Sequence, residues 1–225
     1  MLRRGGGGAL VAAWDEGLVG WGSRVIAARA RWIEARAASF AAHVADISDG
    51  ARGSLEYEPS VGMGDAAGED CDAQPAAPEA IDEWFRRDLA RSREREERRG
   101  MTVVGPHRDD LRLRGEVGAG GGEGGGSSWV DLRAYGSGGQ QRTAAVALRM
   151  IEAESIRETA GRQPVILLDD VFAELDAGRS RRILRWIEQE EGGQVILTAP
   201  KPADVEVRGG SLPRWTIQQG VIRAL

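Results

Sequence analysis

Lysine is almost missing from this 225-residue chain. Lys201 is the only one among 30 basic residues, so the other 29 are arginine. Together with 32 glycines, that bias reads as a GC-rich coding sequence rather than as a functional device. It still has a chemical consequence. A P-loop cradles phosphates in a glycine-rich turn that ends in Lys-Ser or Lys-Thr. Lys201 lies between Pro200 and Pro202, and the glycine run at residues 5–8 has neither a lysine nor a buried strand before it. No phosphate-gripping loop of that type is present. Cysteine is also reduced to one residue, Cys71, which excludes an intrachain disulfide and fits a reducing compartment. No apolar run approaches the roughly 20 residues that cross a bilayer. The start, Met1-Leu2-Arg3-Arg4 followed by glycines, has no apolar signal core. These absences predict a soluble, cytoplasmic protein. Excess positive charge is missing too. With 30 basic against 35 acidic residues, net −5, the chain does not wrap nucleic acid by bulk charge, and any DNA contact needs a local basic patch.

What is present divides into a helical part and an α/β part. A helix is predicted over residues 11–47, with Trp14, Leu18, Trp21, Val25, Ala28, Trp32 and Ala35 at heptad spacing as the seam for a partner helix. Ser48-Asp49-Gly50 ends it, and residues 54–58 read as a short strand. Residues 59–78 read as a linker. A second helix over residues 79–99 carries the stripe Ile81, Trp84, Phe85 and Leu89, then a mixed-charge run that reads as a solvated face. Residues 101–104 read as a strand, residues 118–128 as a glycine-rich hairpin tip, and residues 129–132 as the returning strand. Beyond that come a helix over 140–159 stopped by Gly161, a strand at 165–168 covered on both faces, a helix over 177–190, a second buried strand at 195–197 and a closing hairpin over 214–222.

Three short segments carry chemistry. Val165-Ile166-Leu167-Leu168 runs into Asp169-Asp170, which puts two carboxylates at the C-terminal edge of a parallel sheet, where open α/β folds bind ligands. Two readings stand: a Walker B pair, the first acid serving Mg²⁺ and the second orienting the attacking water, or an aspartate pair capping a loop. Ser137-Gly138-Gly139-Gln140 precedes a helix. Its glycines allow close backbone approach to a phosphate at the helix N-terminus, while Ser137 as a plain helix cap is the other reading. Glu174-Leu175-Asp176 follows the acidic pair, and Asp176 suffices as an N-cap.

In this order, the segments resemble the layout of ABC-type ATPases. More narrowly, three runs resemble the RecF family: Gly105-Pro106-His107-Arg108-Asp109-Asp110-Leu111, residues 138–145, and residues 167–176. Trp14-Asp15, the two arm helices and Tyr57-Glu58-Pro59-Ser60 extend the resemblance over nearly the whole chain. The resemblance implies an α/β fold, the C-terminal half of an ABC-type ATPase head with an inserted helical-hairpin arm (lobe II). The arm and linker would occupy residues 1–100 and the head portion residues 101–225. It further implies a protein of recombinational repair and replication that uses ATP and Mg²⁺. Such a protein forms a homodimer on ATP at single-stranded or gapped double-stranded DNA and works with the mediators RecO and RecR. By the same resemblance, Ser137, Gly138, Gly139 and Gln140 bind nucleotide in trans, Asp169 serves the metal, Asp170 is the catalytic carboxylate and Asp176 senses the partner subunit. His107 and Arg108 either touch DNA or brace the lobe junction. Many ABC ATPases carry a histidine after the last buried strand, where this chain has Thr198. The missing P-loop departs from the family and makes Met1 an internal position of the family's chain. A fragment or a misplaced start codon is therefore expected, against the alternative of a non-enzymatic half that completes its site with a partner chain.

Overall fold

A computed structural model describes residues 8–62, 78–117, 128–172, 174–189, 193–200 and 213–224. Cys71, Lys201, most of the 59–78 linker and nearly all of the 118–128 glycine insert lie outside these residues. The fold is mixed α/β. In chain order the elements are α1 (Gly8–Ser48), β1 (Gly53–Glu58), α2 (Pro78–Arg99), β2 (Asp110–Val117), β3 (Ser128–Asp131), α3 (Leu132–Tyr135), α4 (Gly138–Ala160), β4 (Val165–Leu168), α5 (Ala177–Gln189), β5 (Gln194–Leu197), β6 (Trp215–Gln218) and β7 (Val221–Ala224). Strands β1, β2 and β3 form one sheet in that order, β4 and β5 a second, β6 and β7 a third. Two compact units result, residues 1–41 with 54–114 and residues 42–53 with 115–225; the division cuts α1, β1 and β2. No helix among the described residues is long and apolar enough to cross a membrane.

In the first unit α1 packs antiparallel to α2. Glu16 takes both Arg86 Nε (3.2 Å) and Arg86 Nη2 (3.0 Å), and Asp15 pairs with Arg93. The helices meet closely at Gly22, where a Cβ would sit 2.5 Å from the Phe85 ring. The heptad is present, but the predicted seam is the wrong one. Val19, Ser23, Ile26, Ala30, Ile33 and Phe40 are buried, while Trp14, Trp21 and Val25 are exposed. The sequence holds two interleaved heptad sets, and the tryptophans belong to the bulkier one. The smaller set wins because Gly22, Ser23, Ala27 and Ala30 let α2 approach. On α2 the stripe Ile81, Phe85 and Leu89 is buried as expected. Its charge run is not wholly solvated. Glu96 turns inward and accepts the Val103 N–H at 2.9 Å, as Asp88 accepts that of Gly62 at 2.6 Å. That bonding holds residues 101–104 as a loop, not the predicted strand.

In the second unit Ile47, Val146, Met150, Leu168, Val171, Phe172, Ile183, Leu184 and Ile187 form one apolar cluster. The β4–α5–β5 crossover makes β4 and β5 parallel neighbours, from Val165 opposite Gln194 to Leu168 opposite Leu197. Parallel strands normally have both faces covered, and the sequence predicted this for β4 and β5. The structure covers only one. Val165, Leu167 and Ile196 are 58%, 70% and 50% exposed on the other. An apolar run signals burial but not what does the burying.

Candidate nucleotide-facing site

The site residues lie in the second unit, at two places joined by residues 169–179. The first is the C-terminal end of β4. The Thr198 N–H donates to Leu168 O at 2.9 Å, which carries the ladder one residue past β5. From there the Thr198 hydroxyl donates to Asp169 Oδ1 at 2.5 Å and accepts the Asp170 N–H at 3.0 Å. One threonine side chain thus anchors both acids. Asp170 sits at φ 47°, in the left-handed region that aspartate tolerates better than most residues. Its Oδ1 is buried without a hydrogen-bond partner. A buried carboxylate oxygen normally has a partner, and one without has a place for an ion or an ordered water. The exposed Asp169 carboxylate and this open oxygen are the hard donors that Mg²⁺ takes, in ones and twos, alongside phosphate oxygens. The residues fit that ion.

The second place is the N-terminus of α4. Asp131 caps the short α3, its Oδ1 accepting the Arg133 and Ala134 N–H groups. Gln141 Nε2 reaches back to the carbonyls of Leu132 (3.0 Å), Arg133 (3.3 Å) and Gly136 (3.2 Å) and fixes the turn. Ser137 Oγ accepts the Gln140 N–H at 3.3 Å, and Gln140 Oε1 accepts the Ser137 N–H at 2.8 Å, a reciprocal capping box. Ser137 therefore is a cap here, as its second reading had it, and it stays exposed at the surface. Gly138 and Gly139 pack closely against two long side chains, and the Glu174 carbonyl lies 3.2 Å from where a Gly139 Cβ would be. A Cβ on Gly138 would meet Glu174 Oε2 at 2.5 Å, and one on Gly139 would meet Arg179 Nη1 at 2.5 Å. The turn thus lies against the segment that follows the acidic pair. Glu174, at φ 65°, and Arg179 are residues that the sequence reading gave no role. Neither they nor Thr198 were legible as neighbours, because spacing along the chain does not reveal which turn a loop packs against or which strand lies beside β4.

Asp176 caps α5. Its Oδ1 accepts the Arg179 N–H at 2.9 Å, and Ser180 Oγ donates to its carbonyl at 3.1 Å. The Arg179 N–H, with the Arg179 charge adding to it, holds the Asp176 carboxyl below its ordinary value despite slight desolvation. A lowered folded-state value means that this contribution to stability is present above the ordinary 3.8 and lost as pH falls through the lowered value. Asp176→Ala is expected to cost about 1 kcal/mol and Asp176→Asn far less, since Asn also caps. Thermal melts at pH 7 and pH 3 check both points, the Ala deficit shrinking at pH 3.

In the first unit the Gly-Pro-His-Arg-Asp-Asp segment is an internal brace. Asp109 accepts the Tyr57 hydroxyl and the Ser60 N–H (2.9 Å) and pairs with Arg29 at 3.4 Å. Burial, reinforced by Asp109 and opposed by Arg29, pushes the Tyr57 phenol well above its ordinary value, so it stays a neutral donor. Arg108 donates to Thr102 O at 3.2 and 3.3 Å, and His107 Nε2 lies 3.3 Å from the same oxygen. Among the described residues, no cluster of three or more His, Cys, Asp or Glu side chains forms a metal cage.

No family model matches the chain. Whole-protein comparison is decisive instead. The DNA replication and repair proteins RecF of Halothermothrix orenii and Frankia alni are 36% and 35% identical to it over 215 and 229 residues, 95% and 99% of this chain. Homology supports RecF family identity. The chain spans about half the length of the curated relatives it matches, 52% and 54% in these two cases. The fold agrees. The recombination mediator protein RecF-ATP of the RecFOR pathway superposes with a TM-score of 0.69 at 30% identity, covering all of this chain and 52% of that one. Its RecF-ATPrS counterpart gives 0.68 at 29%.

Proposed function

We propose that this chain is the signature, Walker B and D-loop portion of a RecF-family DNA-repair ATPase, joined to the helical arm. The observation that carries the proposal is the Asp169–Asp170 pair, with its unpartnered buried oxygen, at the end of a parallel strand in a chain homologous to RecF over nearly all its length. Asp169 would hold Mg²⁺, which when bound supplies charge neutralisation at the phosphates of ATP. Asp170, displaced from the strand direction by its left-handed backbone, would aim its free oxygen at the attacking water. Thr198 would keep both acids in place. Ser137, Gly138, Gly139 and Gln140 would present the α4 N-terminus to the nucleotide of a second protomer, with residues 174–176 lining the junction. The whole protein would close as an ATP-dependent homodimer on single-stranded or gapped double-stranded DNA in the cytoplasm, with RecO- and RecR-like mediators as partners.

A second reading is that the chain is a half-protein completed by another polypeptide. The open face of β4 and β5 is where such a partner could pack, because covering the parts of Val165, Leu167 and Ile196 still exposed would gain roughly 1–2 kcal/mol each. Co-expression with the N-terminal, P-loop half of a RecF relative tests both readings. A stable complex that binds ATP and then gapped DNA is the expected result. If no complex forms and only a fused single chain binds ATP, the half-protein reading fails. If the fused chain binds ATP but not DNA, the repair reading fails.

A further inference from the structure

Helix α1 carries more aromatic surface than its packing uses. Trp14 and Trp21 are 66% and 70% exposed. They stand one heptad apart on a single face, about 10 Å along the axis. Val25 is exposed between them and Trp32, which falls on the same line. Gly17 and Gly20 flank the indoles with open space where a Cβ would be. The Arg24 guanidinium lies 5.0 Å over the Trp21 ring, and Arg31 is exposed on the same flank. Carboxylates are kept off this face. Asp15 and Glu16 turn to Arg93 and Arg86 of α2, and Glu34 falls about 200° round the helix from Trp32. In a chain of net charge −5, this stretch of α1 is an aromatic stripe bordered by guanidinium, with no α1 carboxylate on it among the described residues.

That chemistry selects its occupant. An apolar protein face would have to desolvate Arg24 with nothing to pair it. A single nucleic acid strand offers both complements, bases to stack on indoles and phosphates for the arginines. A duplex keeps its base faces inside the stack. We infer that the Trp14–Trp21–Arg24 face of α1 is a stacking platform for single-stranded DNA. This rests on the DNA-binding reading proposed above and deepens it by naming the surface that takes the single strand.

The test is fluorescence anisotropy of a labelled oligothymidine of about 20 nucleotides, and of a hairpin duplex, titrated with the 225-residue chain. Trp14→Ala/Trp21→Ala and Arg24→Ala are compared with Trp21→Phe, which keeps a ring. All three positions are on the surface, and unchanged thermal melts confirm folding. Stacking on one side chain is worth about 5- to 150-fold in affinity. The double alanine variant should therefore lose at least about tenfold for oligothymidine while duplex binding holds. Arg24→Ala should lose less and flatten the salt dependence, and Trp21→Phe should stay within about threefold. Oligothymidine binding unchanged in the double variant overturns the platform while leaving the DNA-binding reading intact. Absence of oligothymidine binding by the unaltered chain overturns it as well. Failure of the broader reading shows elsewhere, as a completed two-half protein that binds ATP but no gapped DNA.

Discussion

Asp170→Asn, placed in a protein that also carries the phosphate-gripping half, is expected to keep ATP binding and ATP-dependent dimers while turnover falls about 10²- to 10⁴-fold. Asn is nearly isosteric and tolerates φ 47°, so backbone and packing survive the change. The charge on the buried, unpartnered oxygen is what disappears. Asp170→Gly gives an independent check. Glycine relieves the left-handed backbone and removes the unsatisfied oxygen, so it should raise stability by about 1 kcal/mol while lowering turnover at least as far as Asn does. Opposite movement of melting temperature and ATP hydrolysis marks a residue held in strain for function. If Asp170→Gly instead lowers the melting temperature, or turnover in Asp170→Asn survives within a few-fold, the acid is a structural loop residue and its catalytic assignment fails.

Ser137→Arg is expected to abolish the ATP-dependent dimer while each protomer still binds ATP. Ser137 is exposed at the turn, so a guanidinium projects from the surface that is proposed to close over the partner's nucleotide. The substitution also removes the bond from the Gln140 N–H to Ser137 Oγ, while the backbone N–H of residue 137 can still donate to Gln140 Oε1. That loss costs about 1 kcal/mol by itself, and Ser137→Ala isolates it. The alanine variant should be slightly less stable and still dimerise. Sedimentation velocity with and without ATP separates the outcomes. Dimerisation by Ser137→Arg at unaltered strength would leave the serine with no role beyond capping.

Much of the fold was legible in the sequence, because its elements are set by local signals. Glycine after α4, the apolar run of β4, the Asp176 cap and the α5 stripe Ile183-Leu184-Ile187 act within a few residues of themselves. The order of the chemical segments was equally readable, since it is a property of the chain alone. Tertiary structure decided the rest. It chose the Val19–Phe40 seam of α1 over the tryptophan seam, because only small residues beside that seam admit α2. It turned Glu96 inward to a loop N–H and placed Glu174 and Arg179 over the two glycines. It also set Thr198 across from Asp169 and Asp170, 29 and 28 residues away. Periodicity reports that a face is apolar and spacing reports that a group is near an element's end. Which partner covers the face, and which side chain meets the group, depends on long-range packing that no window of sequence contains.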